Sequence, residues 1–144
     1  QGTGGPFGAA VFDRERATVL SAGVNLVVAS GYSCAHAELV ALTLAQQKTG
    51  SFDLGVSGHF ELLSSAEPCA MCLGATLWAG VRRIVCGATR EDAAEIFFDE
   101  GPVFPESWDY LGARDIEFVR EVLRAEARAV LVQYEQQSGT IYNG

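Results

Sequence analysis

A chain of 144 residues with 49% hydrophobic content is long enough to bury one full core and falls in the size range of a single domain. Its net charge of −8, from 18 acidic and 10 basic residues, disfavours nucleic acid as a partner, because phosphate backbones are bound by clustered lysine and arginine. No apolar run approaches the ~18 residues of a membrane span, and no signal peptide is visible, so no membrane partner is expected. The spacing of the four cysteines favours free thiols over two disulfides, which predicts a cytoplasmic location.

The order of the predicted elements indicates an α/β domain. Apolar runs of strand length, bounded by glycine, proline or polar turns, predict strands at residues 7–12, 18–25, 60–65, 81–88 and 115–119. Helical periodicity predicts helices at residues 35–48, 68–78, 91–98 and 121–137, with a short helical turn at 107–113. Residues 26–34 and 51–59 are predicted to be loops. A strand pair followed by alternating helices and strands predicts a layered α/β fold with a mixed sheet, in one domain over residues 1–144.

Two short segments, at residues 34–38 and 68–72, carry residues with metal chemistry. His36, Cys69 and Cys72 supply three protein ligands, the number that a catalytic Zn²⁺ uses when its fourth position holds water. Both segments fall at predicted helix starts, where the partial positive charge of the helix N-terminus stabilises thiolates. Cys69 and Cys72 are three residues apart and are predicted to share a helix face. Glu38, two residues after the histidine, is placed to move the proton of that water without binding the metal.

Other uses of these residues stay open at this point. A C-x-x-C pair alone is compatible with a redox dithiol, and a further thiolate from Cys34 or Cys86 would make a closed structural zinc site. Cys86 lies in an apolar strand and fits a core residue, whereas no role follows for Cys34. The combination of three ligands with Glu38 favours one catalytic zinc ion per chain.

The two segments together match H-x-E followed by P-C-x-x-C, the signature of the zinc-dependent nucleobase deaminases. Nearly the whole chain resembles the cytidine deaminase superfamily, in its guanine deaminase branch. The matching segments are residues 4–10, 23–25, 35–38, 67–75, 92–100 and 141–142. The resemblance implies a three-layer α/β/α sandwich around a five-stranded mixed sheet, and an N-terminal helix before the first strand that is missing from this chain. It also implies a homodimer, in which some members of the family exchange C-terminal segments.

Carried over residue by residue, the resemblance assigns zinc to His36, Cys69 and Cys72, and proton transfer to Glu38. It places the remaining site roles on Asn25 (a hydrogen bond to the ring), Glu100 (a second, catalytic carboxylate at the purine), Phe7 and Trp78 (apolar walls), Ala37 (a substrate contact) and Tyr142 (closure of the pocket). Ordinary structural explanations compete with most of these roles: a turn asparagine, core aromatic rings, a solvated carboxylate and a tyrosine in a frayed tail. Two departures, Glu100 where some guanine deaminases have aspartate and Cys34 where a small residue or proline is usual, leave the exact heterocycle open.

The predicted function is hydrolytic deamination of a free purine base, with guanine giving xanthine and ammonia. A zinc-activated water is expected to attack the carbon that bears the amine. Three alternatives remain. The enzyme could act on another free heterocycle (cytosine, a pterin, a triazine or a purine analogue), or on adenosine in tRNA, which would need the basic surface that this chain lacks. The chain could also be a zinc-stabilised binding domain without activity.

Overall fold

The computed structural model describes residues 4–143; residues 1–3 and Gly144, the two ends of the predicted 1–144 domain, lie outside the described residues. The strands are β1 (Gly8–Asp13), β2 (Thr18–Val24), β3 (Phe60–Ala66), β4 (Arg83–Ala88) and β5 (Glu117–Val119). The helices are α1 (Val27–Ser30), α2 (Ala37–Thr49), α3 (Ala70–Trp78), α4 (Arg90–Glu95), α5 (Pro105–Gly112) and α6 (Arg124–Gln136), with a 3₁₀ turn at Leu54–Val56. Within residues 4–143, no helix is both long and apolar enough to cross a membrane.

The five strands form one mixed sheet in the order β2-β1-β3-β4-β5. β1 runs antiparallel to β2 and β3, whereas β3, β4 and β5 are parallel. The five-stranded mixed sheet predicted from the sequence is therefore confirmed. Because β3 and β4 are parallel, their carboxyl ends meet at one edge, where Ala66 pairs with Ala88. The segment that follows β3 contains both cysteines of the predicted metal site.

Helices cover the sheet on both faces. A Cβ atom built on Gly23 of β2 would lie 2.3 Å from the Ala37 carbonyl oxygen, so a side chain there would push α2 off the sheet. On the opposite face, a Cβ atom on Gly87 of β4 would lie 2.8 Å from the Cβ atom of Ala127 in α6. Two glycines thus let one helix approach each face, which gives the expected three layers.

Two observed helix boundaries differ from the predicted ones because of local backbone conformation. Part of the predicted loop 26–34 forms α1, a single turn closed by Gly31 in the left-handed region (φ +64°). The terminal helix was predicted from residue 121 but begins at Arg124, because Glu121 and Leu123 both have positive φ, at +60° and +53°. Non-glycine residues rarely adopt this conformation, and neither residue carries a local sequence signal for it.

Candidate active site

The two metal-binding segments sit at helix N-termini, with a ligand at each cap. Both helices begin two residues later than predicted, so His36 is the N-cap of α2 and Cys69 is the N-cap of α3. Each cap residue has an extended backbone, which turns its side chain back over the first helical turn. The Cys69 sulfur accepts a hydrogen bond from the backbone N–H of Cys72, at 3.5 Å. Cys69 at the cap and Cys72 in the first turn of α3 therefore bring their sulfur atoms close together.

His36, Cys69 and Cys72 form a compact cluster whose ligand atoms all lie within 4.8 Å of one another. The His36 Nδ1 atom is 3.5 Å from the Cys69 sulfur and 3.6 Å from the Cys72 sulfur. A tetrahedral ion with Zn–S bonds of about 2.3 Å and Zn–N bonds of about 2.0–2.1 Å holds its nitrogen and sulfur ligands roughly 3.5 Å apart. The donor set and its spacing therefore fit zinc, with one tetrahedral position left for a non-protein ligand.

The two cysteines of the cluster differ in acidity. A hydrogen bond from the Cys72 thiol lowers the pKa of Cys69 to about 4, with further help from His36. The same contact, together with burial, raises the pKa of Cys72. Cys69 is therefore the more acidic of the two thiols. A divalent cation that binds both sulfurs as thiolates releases the proton of the Cys72 thiol.

Glu38 lies in the first turn of α2, beside the cluster and outside it. Its carboxyl group is 6% exposed and its Oε2 atom is 3.4 Å from the Cys72 sulfur. Its Oε1 atom accepts a hydrogen bond from the Ser64 hydroxyl at 3.1 Å. Burial raises the pKa of Glu38. A carboxyl group with a raised pKa next to a metal site is suited to exchanging protons.

Asn25 forms a buried hydrogen-bond network that reaches Tyr142, whose ring centroid is 6.2 Å from that of His36. It is 1% exposed, and its Oδ1 atom accepts hydrogen bonds from the backbone N–H groups of Gly5 and Val27 at 3.1 and 3.2 Å. Its Nδ2 atom donates to the Tyr142 hydroxyl at 2.6 Å. The bond from Val27 is the contact expected of a turn asparagine at a strand end, and the bonds to Gly5 and Tyr142 add to it. The amide joins the N-terminal segment, the loop after β2 and the C-terminal tail at one point.

Glu100 belongs to the same site, although it follows α4 in the chain. Its backbone carbonyl accepts a hydrogen bond from the Ala70 N–H at the start of α3, at 3.0 Å. Burial, together with the charges of Cys69 and Glu38, raises the pKa of Glu100 to about 8. A solvated carboxylate would not show this shift. With such a pKa the side chain can either donate or accept a proton near neutral pH.

An aromatic wall lies beside the cluster. Phe98 packs edge-on against Phe7 and Tyr142, with ring centroids 5.0 and 5.2 Å apart, and Tyr142 lies 6.2 Å from His36. Sequence reasoning missed Phe98, because residues 91–98 were predicted to be one helix. The helix ends at Glu95, and a positive φ of +71° at Phe97 turns Phe98 into the core. The adjacent residues Phe97 and Phe98 were the only feature of the sequence that pointed to this aromatic wall.

Trp78 was predicted to be an apolar wall of the pocket; in the single chain it lies away from the metal cluster, so this role stays a prediction. It is the last residue of α3 and is 79% exposed. Cys69 caps the opposite end of that helix, and nine residues of helix span about 13 Å.

Ala37 is fully buried and lies between His36 and Glu38 in the sequence, so its backbone is next to the metal cluster. A direct contact between Ala37 and substrate stays a prediction.

The other two cysteines lie outside the cluster. Cys86 is buried in β4, and its thiol donates to the Val119 carbonyl at 3.7 Å, which confirms it as a core residue. Cys34 precedes α2 and lies 4.0 Å from the Ser33 hydroxyl. All four cysteines are free thiols. Within residues 4–143, neither Cys34 nor Cys86 joins the group that could hold a metal, so a four-ligand structural site is not formed.

Comparison with known proteins gives consistent similarities. The chain is 35% identical to guanine deaminase from Bacillus subtilis over 122 residues, which is 85% of this chain and 75% of that protein. The solved structure of guanine deaminase from Nitrosomonas europaea is 46% identical, with a TM-score of 0.89 over 92% of this chain and 74% of that chain. A further solved structure, of a protein in complex with 2,6-diaminopurine, is 47% identical, with a TM-score of 0.91 over 97% of this chain and 75% of that chain.

The family assignment rests on the segment that contains the metal cluster. The family model for the cytidine and deoxycytidylate deaminase zinc-binding region matches residues 1–88, which include His36, Glu38, Cys69 and Cys72. The similar solved structures match well beyond this segment, over 92% and 97% of the chain. The chain therefore belongs to the cytidine and deoxycytidylate deaminase zinc-binding family.

Proposed function

We propose that this protein is a zinc-dependent aminohydrolase that converts guanine to xanthine and ammonia. The observation that carries the proposal is the convergence of two half-sites. His36, Cys69 and Cys72 form a zinc-type cluster with the buried carboxyl of Glu38 against it. Asn25 bonds to Tyr142, whose ring lies 6.2 Å from His36, and the charges of Cys69 and Glu38 act on Glu100. The similarity to two guanine deaminases and to a complex with a diaminopurine supports a purine substrate.

The chemistry divides between the ion and the protein. Zinc held by His36, Cys69 and Cys72 would supply a water of lowered pKa as the nucleophile. Glu38 accepts a proton from that water at its Oε2 atom, the oxygen that faces the cluster. The same carboxyl would then deliver this proton to the ring nitrogen and carry the second proton of the same water to the leaving amine, so both protons of the water are accounted for. Because Glu38 is buried and held by Ser64, its proton is not lost readily to bulk solvent.

Recognition of the base falls to Asn25, Glu100 and the aromatic wall. The amide of Asn25 offers a donor at its Nδ2 atom, since its Oδ1 atom is already occupied by two backbone N–H groups. Glu100 can accept from a ring N–H on the opposite edge of a purine. A base that leaves the buried amide of Asn25 or the half-buried carboxyl of Glu100 unpaired is rejected, because polar groups left unpaired in a closed complex destabilise it. Tyr142 closes the site beside them, which favours a free base over a nucleoside.

The decisive experiment measures ammonia release from guanine, adenine, cytosine and guanosine by the zinc-loaded protein, with zinc content determined in parallel. We expect turnover of guanine, one zinc per chain, and at least a hundredfold lower kcat/KM for the other three compounds. A preference for cytosine would indicate deamination of another heterocycle. Zinc binding without turnover of any base would indicate a binding domain. Either result would reject guanine as the substrate.

We also propose that the protein acts as a homodimer and that it is cytoplasmic. The outer side of α3 supports a dimer: the helix contains no charged residue, Trp78 is exposed at its end, and a Cβ atom on Gly74 would meet no atom within 4 Å. Apolar helix faces of this kind are typical of interfaces between subunits. The tail contacts its own chain, through Tyr142 to Asn25 and through Asn143 to Asp99. Exchange of tails between subunits stays a prediction.

The dimer is tested by light scattering of the wild-type protein and of Trp78→Lys. We expect twice the chain mass for the wild type and a single chain mass for the variant. A wild-type protein with the mass of one chain would reject the dimer.

A further inference from the structure

Ser64 is a polar side chain in an apolar setting. It lies on β3 with its side chain towards α2, on the face that also carries Phe60, Leu62 and Ala66. Those three neighbours are buried and apolar, and Ser64 itself is 8% exposed. Packing alone would favour alanine or valine at this position, because a buried hydroxyl needs a hydrogen-bond partner. Its presence calls for a polar partner on the covering helix.

That partner is the carboxyl of Glu38. The Ser64 hydroxyl donates to the Glu38 Oε1 atom at 3.1 Å, and among the described residues this is the hydrogen bond that the hydroxyl makes. The second oxygen, Oε2, faces the metal cluster, 3.4 Å from the Cys72 sulfur. A carboxyl rotates easily about its last bond, since this torsion has no sharp minima. A donor held rigidly in a strand stops that rotation and settles which oxygen faces the cluster.

We propose that Ser64 is a positioning residue that orients Glu38 for proton transfer. This inference rests on the proposed function to the extent that Glu38 carries the proton. Ser64 acts from the side of Glu38 away from the cluster, so it contacts neither metal ligand nor substrate. Its loss leaves the ligand set and the base-binding groups intact, while Glu38 spends less time in the productive orientation. The effect therefore falls on kcat, with KM and zinc content preserved.

The test compares three zinc-loaded variants with the wild-type enzyme. Ser64→Ala removes the hydroxyl, and Ser64→Thr keeps it on a side chain that suits a strand. Ser65→Ala is the matched control: its hydroxyl is on the neighbouring residue but accepts from the Gly8 N–H and does not reach Glu38. We expect kcat of Ser64→Ala to fall about 10- to 100-fold, in line with the loss of one hydrogen bond to a charged group. KM should stay within about threefold, and Ser64→Thr and Ser65→Ala should stay within about threefold of wild-type kcat.

A second readout does not depend on turnover. In crystals of zinc-loaded Ser64→Ala, we expect the Glu38 carboxyl in a changed orientation or in two conformers, whereas Ser65→Ala should retain one. An unchanged Glu38 in Ser64→Ala, wild-type kcat in that variant, or loss of its zinc would each overturn the proposal. If the wild-type enzyme does not deaminate guanine, the proposed function fails by itself. The orientation of Glu38 in the crystals still decides the role of Ser64.

Discussion

The proposed metal half and the proposed base-binding half of this site are built in different ways. His36, Cys69 and Cys72 come from two helix caps, each within a few residues of its motif partner. Asn25, Glu100 and Tyr142 come from a loop after a strand, a turn after a helix and the C-terminal tail. The first half needs two helices to meet at their N-termini. The second needs three irregular segments, joined by the bond from Asn25 to Tyr142 and by two bonds between Asp99 and Asn143.

This difference separates reaction from specificity. In the proposed mechanism the metal half contains the groups that the reaction requires, and helices hold these groups rigidly. The base-binding half lies on loops, which tolerate substitution without loss of the fold. Changes in the metal half should therefore remove activity towards every base. Changes in the other half should alter which base is used, and the following variants test this division.

The largest loss is expected from Glu38→Gln. An amide keeps the shape of the side chain but cannot carry the proton, so kcat should fall roughly 10²- to 10⁴-fold on any substrate, with one zinc still bound. Cys72→Ser provides the contrast, because it should lose the zinc as well. Steady-state kinetics and metal analysis measure both effects. Wild-type ammonia release by Glu38→Gln would contradict the assigned role of the carboxyl.

A smaller loss is expected from Asn25→Asp. Aspartate keeps an oxygen for the N–H groups of Gly5 and Val27 but removes the Nδ2 donor. We expect kcat/KM for guanine to fall about 10- to 100-fold, with zinc content unchanged. Asn25→Ala also releases both backbone N–H groups, so its melting temperature should fall as well. If Asn25→Asp reduced zinc binding, the two halves of the site would not be independent.

A still smaller loss is expected from Tyr142→Phe. Phenylalanine keeps the packing against Phe98 and His36 and loses only the hydroxyl that accepts from Asn25. KM for guanine should rise about two- to tenfold, because one neutral hydrogen bond is removed. Steady-state kinetics with guanine as the substrate measure this change in KM. A loss as large as that of Glu38→Gln would mean that the tail takes part in the chemistry.

The smallest effect on kcat is expected from Asp92→Asn, which instead lowers stability. The buried Asp92 carboxylate binds Arg124 at 2.8 and 3.0 Å and so ties α4 to the start of α6. Its hydrogen bonds to Arg124 lower the pKa of Asp92 to about 2, from 3.8 in the unfolded chain. A lowered pKa stabilises the fold above pH 4, and this stabilisation is lost as the pH falls towards 2.

Urea denaturation across that pH range measures the effect. At pH 7, Asp92→Asn should lower the free energy of unfolding by about 2 kcal/mol, and the difference from wild type should shrink below pH 4. Glu95→Gln is the control, since the pair of Glu95 with Arg128 is exposed and should contribute less. A difference that persists unchanged at pH 2 would rule out the Asp92–Arg124 pair as its source.

The metal half of the site could be predicted from the sequence because its information is local. His36 and Glu38 lie two residues apart, and Cys69 and Cys72 three, so the geometry of one helical turn already brings each pair together. The apolar runs likewise predicted the five strands and the mixed sheet, which the structure confirms. Even here, the predicted starts of α2 and α3 lie two residues before the observed starts. A sequence pattern does not distinguish the residues before a helix from its first turn.

The base-binding half depended on contacts between residues far apart in the chain. Asn25 and Tyr142 are 117 residues apart, and only the folded chain shows that their side chains share a hydrogen bond. The burial that raises the pKa of Glu100, the turn at Phe97 that points Phe98 inwards and the exposure of Trp78 have no periodic signal in the sequence. Spacing within a helical turn is enough to specify a metal cluster. A pocket made of three loops exists only after the sheet and its two helical layers have brought their ends together.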